Sequence, residues 1–469
     1  MPLEKATDIT VVATSIFYLP VETRFPLKFG AEVLTEVTCC RVLVEVRTRD
    51  GRKAFGWGET PLSVQWAWPG NQPYQYRLDT MKCLCSKIAS TWVEFGASGH
   101  PIELGFNFQY QCLPSLRSQL NVESSGEPLP YLAALICLSA FDIAVHDAYG
   151  NALSMDSYRT YTPEFMNRDL SSYLQSDCET DFSGQFPCDF LTSRPPAELP
   201  VWHLVGALDP LTQQDAQQLG RPADGYPVSL EEWIRSDGIE CLKVKLSGVD
   251  ARWDFERLVR ISDVAIPLGV QHFCADFNCT VERPEYVNEV LDRLAGERPE
   301  LFSKLLYVEQ PFPYDLESYG CDVSSVSKRK PLFLDESAHD WELVRLGRTL
   351  GWTGVALKTC KTQTGSILTC CWAKKHGMQL MVQDLTNPML AQIPHVRLAA
   401  HSETIMGVES NGMQFYPEAS LPEAAIHPGL FRRRNGRLQL KSIAGSGFGY
   451  RIGEIRRELP PPDIQFSRE

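Results

Sequence analysis

Six ionisable residues fall where apolar runs end, at intervals that repeat. Lys243 and Lys245 lie in the run IECLKVKL, Asp276 in VQHFCADF, Glu309 in KLLYVEQ, Asp335 in PLFLDES and Lys358 in TGVALKT. From Lys245 to Asp276 is 31 residues, and the next three intervals are 33, 26 and 23. Each is about one strand-plus-helix repeat, so the charges are expected at one height on successive strands, at the C-terminal ends where barrels hold their catalytic residues. Taken singly, each carboxylate reads as a surface or capping residue and a Lys-x-Lys pair as a solvated edge. The common spacing is what makes a site of them.

Three carboxylates on adjacent strands offer oxygen donors to a hard cation, Mg²⁺ before Mn²⁺. Lys243 and Lys245 are two apart, so their side chains share one face of a strand. Lys358, three strands past Asp276, is expected across the barrel from them. Such an arrangement suits removal of the proton α to a carboxylate, with the cation stabilising the charge of the enediolate. A lysine made neutral by positive neighbours and the metal would be the base. A lysine on each face permits inversion at the α-carbon, and also elimination or cycloisomerisation.

The elements that must position these residues follow a clear rhythm. From residue 200, eight short apolar runs alternate with amphipathic, helix-compatible stretches such as ARWDFERLVRISDVAI, which predicts βαβ units and a closed parallel barrel. No Gly-x-Gly-x-x-Gly follows the first strand, against a dinucleotide-binding fold. Residues 1–66 read as strands with a hairpin at Asp50-Gly51 and a loop-like stretch at RFPLKFGAEVLTEV, and 74–150 as helices. Residues 152–199 are polar and aperiodic and read as a surface insertion or linker. The expected division is 1–151, an α+β domain; 152–199; the barrel at 200–411; and a segment at 412–469 that packs back on the first domain.

The 469 residues carry 45 Lys+Arg against 58 Asp+Glu, a net charge of −13 with pI near 5.3, which argues against nucleic-acid or anionic-membrane partners. Fifteen cysteines without a Cys-x-x-Cys pair suit buried thiols in a reducing compartment. The N-terminus lacks the positive region of an export signal, and no run reaches the length of a membrane span. A cytoplasmic location is the expectation.

The motifs CLKVKLSG (241–248), CADFN (274–278), YVEQPF (307–312), FLDES (333–337) and VALKTCK (355–361) resemble, in order and spacing, the muconate-lactonizing subgroup of the enolase superfamily. FGWGETPL (55–62) and FDIAVHDAYGNAL (141–153) resemble that family's capping domain. The resemblance implies a modified TIM barrel, (β/α)₇β, under an N-terminal α+β cap completed by the C-terminal tail. It implies Asp276, Glu309 and Asp335 as Mg²⁺ ligands, Lys245 and Lys358 as the acid/base pair, and Lys243 as a residue that tunes Lys245. Asn278 and Gln310 would support the ligands, and residues 24–33 with the stretch after Glu59 would close over the substrate.

The chain departs from the family in its specificity regions. Asp384 (QDLTN) stands where a mandelate-racemase-like chemistry needs His and where the subgroup usually has Glu. Glu409-Ser410-Asn411 replaces the Asp-x-Asp that holds a substrate ammonium in dipeptide epimerases, keeping one negative charge. Gln363-Thr364-Gly365 replaces paired glycines. The leading expectation is racemisation or epimerisation of an amino-acid- or dipeptide-like carboxylate. The alternatives are a cycloisomerase or dehydratase, as in lactonizing or o-succinylbenzoate-forming relatives, and a catalytically silent metal-binding barrel. The partner is a small-molecule carboxylate, and a homo-oligomer stays open.

Overall fold

Strands rich in β-branched and aromatic residues open the chain. The computed structural model describes residues 4–29, 32–124, 126–176, 180–218 and 224–468. β1 (Ile9–Phe29), β2 (Glu32–Thr48) and β3 (Lys53–Pro61) form an antiparallel sheet, and the C-terminal strand β13 (Ile464–Ser467) adds to the outer edge of β1. The stretch RFPLKF, expected as a loop, is instead the end of β1. Pairing with β2 resumes at Leu27 after a register shift between Glu22 and Leu27, so Pro26 falls within the irregularity. Gly30 and Ala31 lie outside the described residues.

The helix Tyr131–Ala152 crosses this sheet at very close range, because both surfaces are small. A Cβ on Gly56 would stand 2.2 Å from the Ala144 carbonyl oxygen, and one on Gly58 would stand 1.9 Å from that of Ala140. Only glycine fits there. Contrary to the sequence reading, this 22-residue helix is long and apolar enough to span a bilayer, but 94% of its apolar window is buried inside the protein. It is a core helix.

Eight parallel strands follow, in the order expected: β4 (Glu198–Val205), β5 (Cys241–Lys245), β6 (His272–Asp276), β7 (Leu305–Glu309), β8 (Leu332–Leu334), β9 (Gly354–Leu357), β10 (Gln379–Val382) and β11 (Val408–Glu409). They pair consecutively from β4 to β10, β11 returns to β4, and the Ile405 N–H donates to the Leu380 carbonyl (2.9 Å), drawing the barrel together. The short strand β12 (Arg437–Gln439) pairs antiparallel with β4. The fold is a modified TIM barrel under an α+β cap that the C-terminal tail completes.

Residues 152–199 are not a surface excursion. Tyr158, Tyr161, Leu170, Tyr173 and Phe182 are buried in the barrel's main core, a placement that local periodicity does not reveal because the segment holds only short 3₁₀ turns. His146 ties the cap helix to this segment and to the barrel: Nδ1 meets the Tyr161 hydroxyl and Nε2 the Thr364 hydroxyl, each at 2.9 Å. Thr364 also donates to Asp142 through N–H and hydroxyl (2.8 Å each), and the Gln363 amide donates to the Tyr158 hydroxyl (3.0 Å). The departure from paired glycines therefore serves this three-way packing.

Burial pushes the His146 imidazole from its ordinary 6.5 down to about 3. The folded state then binds fewer protons than the unfolded one between those values, so His146 costs stability as the pH falls below 6.5. Wild type is expected to lose about 2 kcal/mol relative to His146→Gln between pH 7.5 and 5.0, read from paired urea melts.

The tail is fastened through a buried ion network. Arg41 on β2 pairs with Glu59 on β3 and with Glu423 (3.1 Å), and Arg457 donates to Glu423 at 2.6 and 2.7 Å. Removing Arg41 leaves the buried Glu59 without its cation, while Glu423 keeps Arg457. Arg41→Met is expected to lower unfolding stability by about 3–5 kcal/mol, measured from the urea midpoint.

Candidate active site

Inward-facing residues of the barrel form layers. The lower layer holds Trp202, Cys241, Cys274, Tyr307, Phe333 and Met381. Two residues further along the same strands come Lys243, Asp276, Glu309, Asp335 and Gln383, because strand side chains repeat every second residue. Lys245 pairs in register with Asp276, and Asp276 with Glu309. These charges and Lys358 are all buried.

Lys243 Nζ lies among carboxylates, 2.6 Å from Glu309 Oε1 and 3.1 Å from both Asp276 Oδ2 and Glu409 Oε2. Lys245 Nζ reaches Asp276 Oδ2 at 2.5 Å. On the other side, Lys358 Nζ stands 3.0 Å from Asp335 Oδ2 and donates to the Asp384 carbonyl at 3.1 Å. β5 and β9 carry the lysines, and the three strands between them carry Asp276, Glu309 and Asp335.

Supporting residues occupy strained positions. Asn278 (φ 47°) and Gln310 (φ 31°) both have positive φ. The Asn278 N–H donates to Asp276 Oδ1 (2.9 Å), and Gln310 Oε1 accepts from the Asp335 N–H (2.7 Å). Asp384 is held by the Asn411 N–H (2.7 Å) and side-chain amide (3.2 Å), and Asn411 also donates to Glu409 Oε1 (2.7 Å). The negative charge expected at Glu409 is therefore taken up by Lys243 and Asn411.

Four participants escaped the sequence reading. Lys361, three residues after Lys358, donates to the Asp335 carbonyl and lies 3.4 Å from its Oδ1. Gln383 donates to the Tyr307 hydroxyl (3.1 Å) and to Glu309 Oε2. Glu336, next to Asp335, accepts from Asn278 Nδ2 (3.1 Å) and from Trp66 Nε1 (2.9 Å). Trp66 comes from the cap, and its ring lies 4.9 Å from Lys358 Nζ and 5.7 Å from Lys361 Nζ. The strand-end position of Glu336 and the Lys-x-x-Lys spacing were signals available locally; nothing local marks Trp66.

The electrostatics follow from crowding. Burial, then the neighbouring Asp276, push the Glu309 carboxyl up to about 8. Burial opposes ionisation of Asp335 as well, but Lys358 and Lys361 prevail and hold it below the usual carboxylate range. Burial lowers Lys358 while Asp335 raises it, and the carboxylate prevails. With Asp335 beside it, Lys358 is held as an ammonium. Lys361 is lowered, by burial first.

Lys243, Lys245, Lys358, Asp335, Asp384 and Glu409 share a small cavity that the cap closes with Leu27, Leu34, Ser63 and Trp66.

A (β/α)₇β barrel with lysines on either side of a carboxylate arc under a cap is the class that fold and site define. Residues 226–455 match the family model described as enolase C-terminal domain-like, and the barrel of this chain belongs to the enolase superfamily. Solved structures agree in fold. A muconate lactonizing enzyme from Pseudomonas fluorescens with muconolactone is 15% identical, covering 96% of this chain and 99% of its own, at a TM-score of 0.60. A dipeptide epimerase from Enterococcus faecalis with Mg and L-Leu-L-Tyr is 15% identical, covering 94% and 99%, at 0.59. An N-succinyl Arg/Lys racemase from Bacillus cereus is 15% identical, covering 98% and 100%, at 0.61. No curated protein matches the sequence.

Among the described residues, no three carboxylate, histidine or cysteine side chains stand close enough together to hold a metal as placed, because lysine ammoniums stand against the carboxylates. The donor set nonetheless suits a hard dication. Its oxygens are all carboxylate; Asp276 Oδ1 accepts from the Asn278 N–H, and the Asp335 backbone N–H is held by Gln310 Oε1.

Proposed function

We propose that this chain is a Mg²⁺-dependent enzyme that removes the proton α to a carboxylate and returns it on the opposite face, a racemase or epimerase of an amino-acid-derived substrate. The observation that carries the reading is the pair of lysines lining one small cavity from strands on either side of the carboxylate arc. Residues 1–151 would cap the barrel of 200–411, with 152–199 and 412–469 packing the two together.

Asp276, Glu309 and Asp335 would hold the cation, which supplies positive charge to the substrate carboxylate as the α-proton leaves. Lys245 Nζ meets one face of the α-carbon and Lys358 Nζ the other; one accepts the proton and the other, held as an ammonium, delivers one. Lys243 neutralises Glu309 and Glu409 beneath them. Trp66 covers the cavity and keeps water from competing for the proton.

A lactonizing or dehydrating outcome would use the same lysines. It gains from one observation: Glu409 is committed to Lys243 and Asn411, which leaves the eighth strand no free carboxylate for an α-ammonium. By the same token, N-acylated amino acids suit the site better than free-amine dipeptides.

The test is α-proton exchange in D₂O by the Mg²⁺-loaded protein on pooled N-acylamino acids, dipeptides and acid sugars, followed by mass. Gain of one deuterium on the N-acylamino acids is expected. Loss of water or ring closure without exchange moves the assignment to the second reading. Exchange in no pool, with Mg²⁺ bound, leaves a silent metal-binding barrel.

A further inference from the structure

Three thiols with no part in the chemistry proposed above meet in the core of the cap. Cys40 lies on β2, Cys85 on the helix Tyr74–Phe95 and Cys137 on the helix Tyr131–Ala152, and all three are fully buried and free of disulfides. The Cys137 thiol donates to the Met81 carbonyl (3.5 Å), and in a helix that carbonyl faces the N–H four residues on, which is that of Cys85. Cys85 Sγ in turn stands 3.9 Å from the Cys137 carbonyl oxygen. The Cys85 sulfur is hydrogen-bonded to the thiols of both Cys40 and Cys137, so it is the member common to the two pairs. A buried cysteine that only fills space needs no such company.

The cluster lies one layer beneath the surface. Tyr18 on β1 is paired in register with Cys40, so the two side chains share one face of the sheet. The Tyr18 hydroxyl reaches the Lys82 carbonyl (3.2 Å) and Cys85, and the Lys82 ammonium stands 4.9 Å from its ring. Tyr18 and Lys82, each only partly buried, form the outer layer over Cys85.

Hydrogen bonds from Cys137 and Cys40, and then from Tyr18, hold the Cys85 thiol below its ordinary range against the effect of burial. Hydrogen bonding to Cys85, then burial, raises Cys40; burial, then Cys85, raises Cys137. The negative charge of the cluster therefore settles on Cys85, between two protonated thiols. That is the arrangement of a nucleophilic sulfur with resolving partners.

We infer that Cys85 is an oxidation site for a small hydroperoxide, resolved by Cys40 or Cys137 into a reversible disulfide that ties its helix to the cap sheet or to the second cap helix. The Cys85 thiolate attacks the terminal oxygen of the hydroperoxide. An S–O bond forms, the O–O bond breaks, and the other oxygen leaves and takes a proton from solvent. The flanking thiol then attacks the sulfenic sulfur and gives its proton to the departing hydroxide, so that S–S forms, S–O breaks and water leaves. The two thiols lose two electrons and two protons, and the hydroperoxide gains both. The site stands independently of the function proposed above.

The experiment exposes the full-length protein to hydrogen peroxide, denatures it in N-ethylmaleimide and maps its cysteines by intact and peptide mass. Loss of two hydrogens in one disulfide that contains Cys85 is expected, with free thiols restored by dithiothreitol. The reaction should outpace oxidation of the exposed Cys83 by about tenfold or more. A Cys40→Ala/Cys137→Ala protein should stop at a Cys85 sulfenic acid that dimedone traps, and Cys85→Ser should form no link between Cys40 and Cys137. A wild-type disulfide that lacks Cys85 overturns the inference, as does Cys85 recovered fully alkylated after Cys83 has been oxidised. A sulfinic acid at Cys85 in the wild type also overturns it, because no neighbour would then resolve the sulfenic acid. The wild-type map decides the matter if a variant fails to fold.

Discussion

Lys245→Ala and Lys358→Ala are each expected to lower racemisation by a factor of about 10³ or more, because each removes one of two groups that must move a proton within one turnover. Both proteins should fold. Asp276 keeps Lys243 at 3.1 Å when Lys245 is removed, and Asp335 keeps Lys361 at 3.4 Å when Lys358 is removed, so neither buried carboxylate is left without a cation. The two variants are expected to differ in a way a folding defect cannot imitate. Each should retain α-deuterium exchange on the one stereoisomer that presents its proton to the surviving lysine, and lose it on the other. Chiral separation followed by mass measurement reads this directly. Racemisation within threefold of wild type in both variants would remove the two-lysine mechanism.

Removing divalent cations is expected to abolish turnover, by about 10³-fold or more, while leaving a folded protein. The chemical loss follows from the unopposed charge that builds on the substrate carboxylate. The persistence of the fold follows from the lysines. Asp276, Glu309 and Asp335 each have an ammonium within about 3 Å, so the ion-free site is paired rather than repulsive. Chelation should therefore give a cooperative melt with native circular dichroism. Mg²⁺ at a hundredfold its Kd should add about 2.7 kcal/mol. A chelated protein that turns over at more than a tenth of the original rate would contradict the assignment of the carboxylate arc. A chelated protein that unfolds would contradict the pairing.

The reactive set was legible because two periods coincide. Strand side chains alternate every second residue, and the βα repeat returns the chain to the same height, so Lys245, Asp276, Glu309, Asp335 and Lys358 could be placed together from their intervals alone. The eight barrel strands were legible for the same reason: buried parallel strands read as short, nearly continuous apolar runs. Gly56 and Gly58 stood out as a motif, although the alanine face that demands them lies more than eighty residues away.

What remained hidden depends on contacts between distant segments. The Lys243–Glu409 pair joins strands on either side of β4, and nothing near either residue announces it. The burial of 152–199 has no local signature, since irregular segments lack a period to read. Trp66 belongs to the cap, and its place over Lys358 is a matter of docking.

The sequence by itself determined the barrel, its cap and the identities and order of the strand-end charges, because those follow from local periodicity. Only the tertiary structure decided which charge neutralises which and which cap side chains close over the lysines. Those are sums over neighbours brought together by packing, and in a buried site of low polarisability such neighbours set protonation more strongly than residue type does.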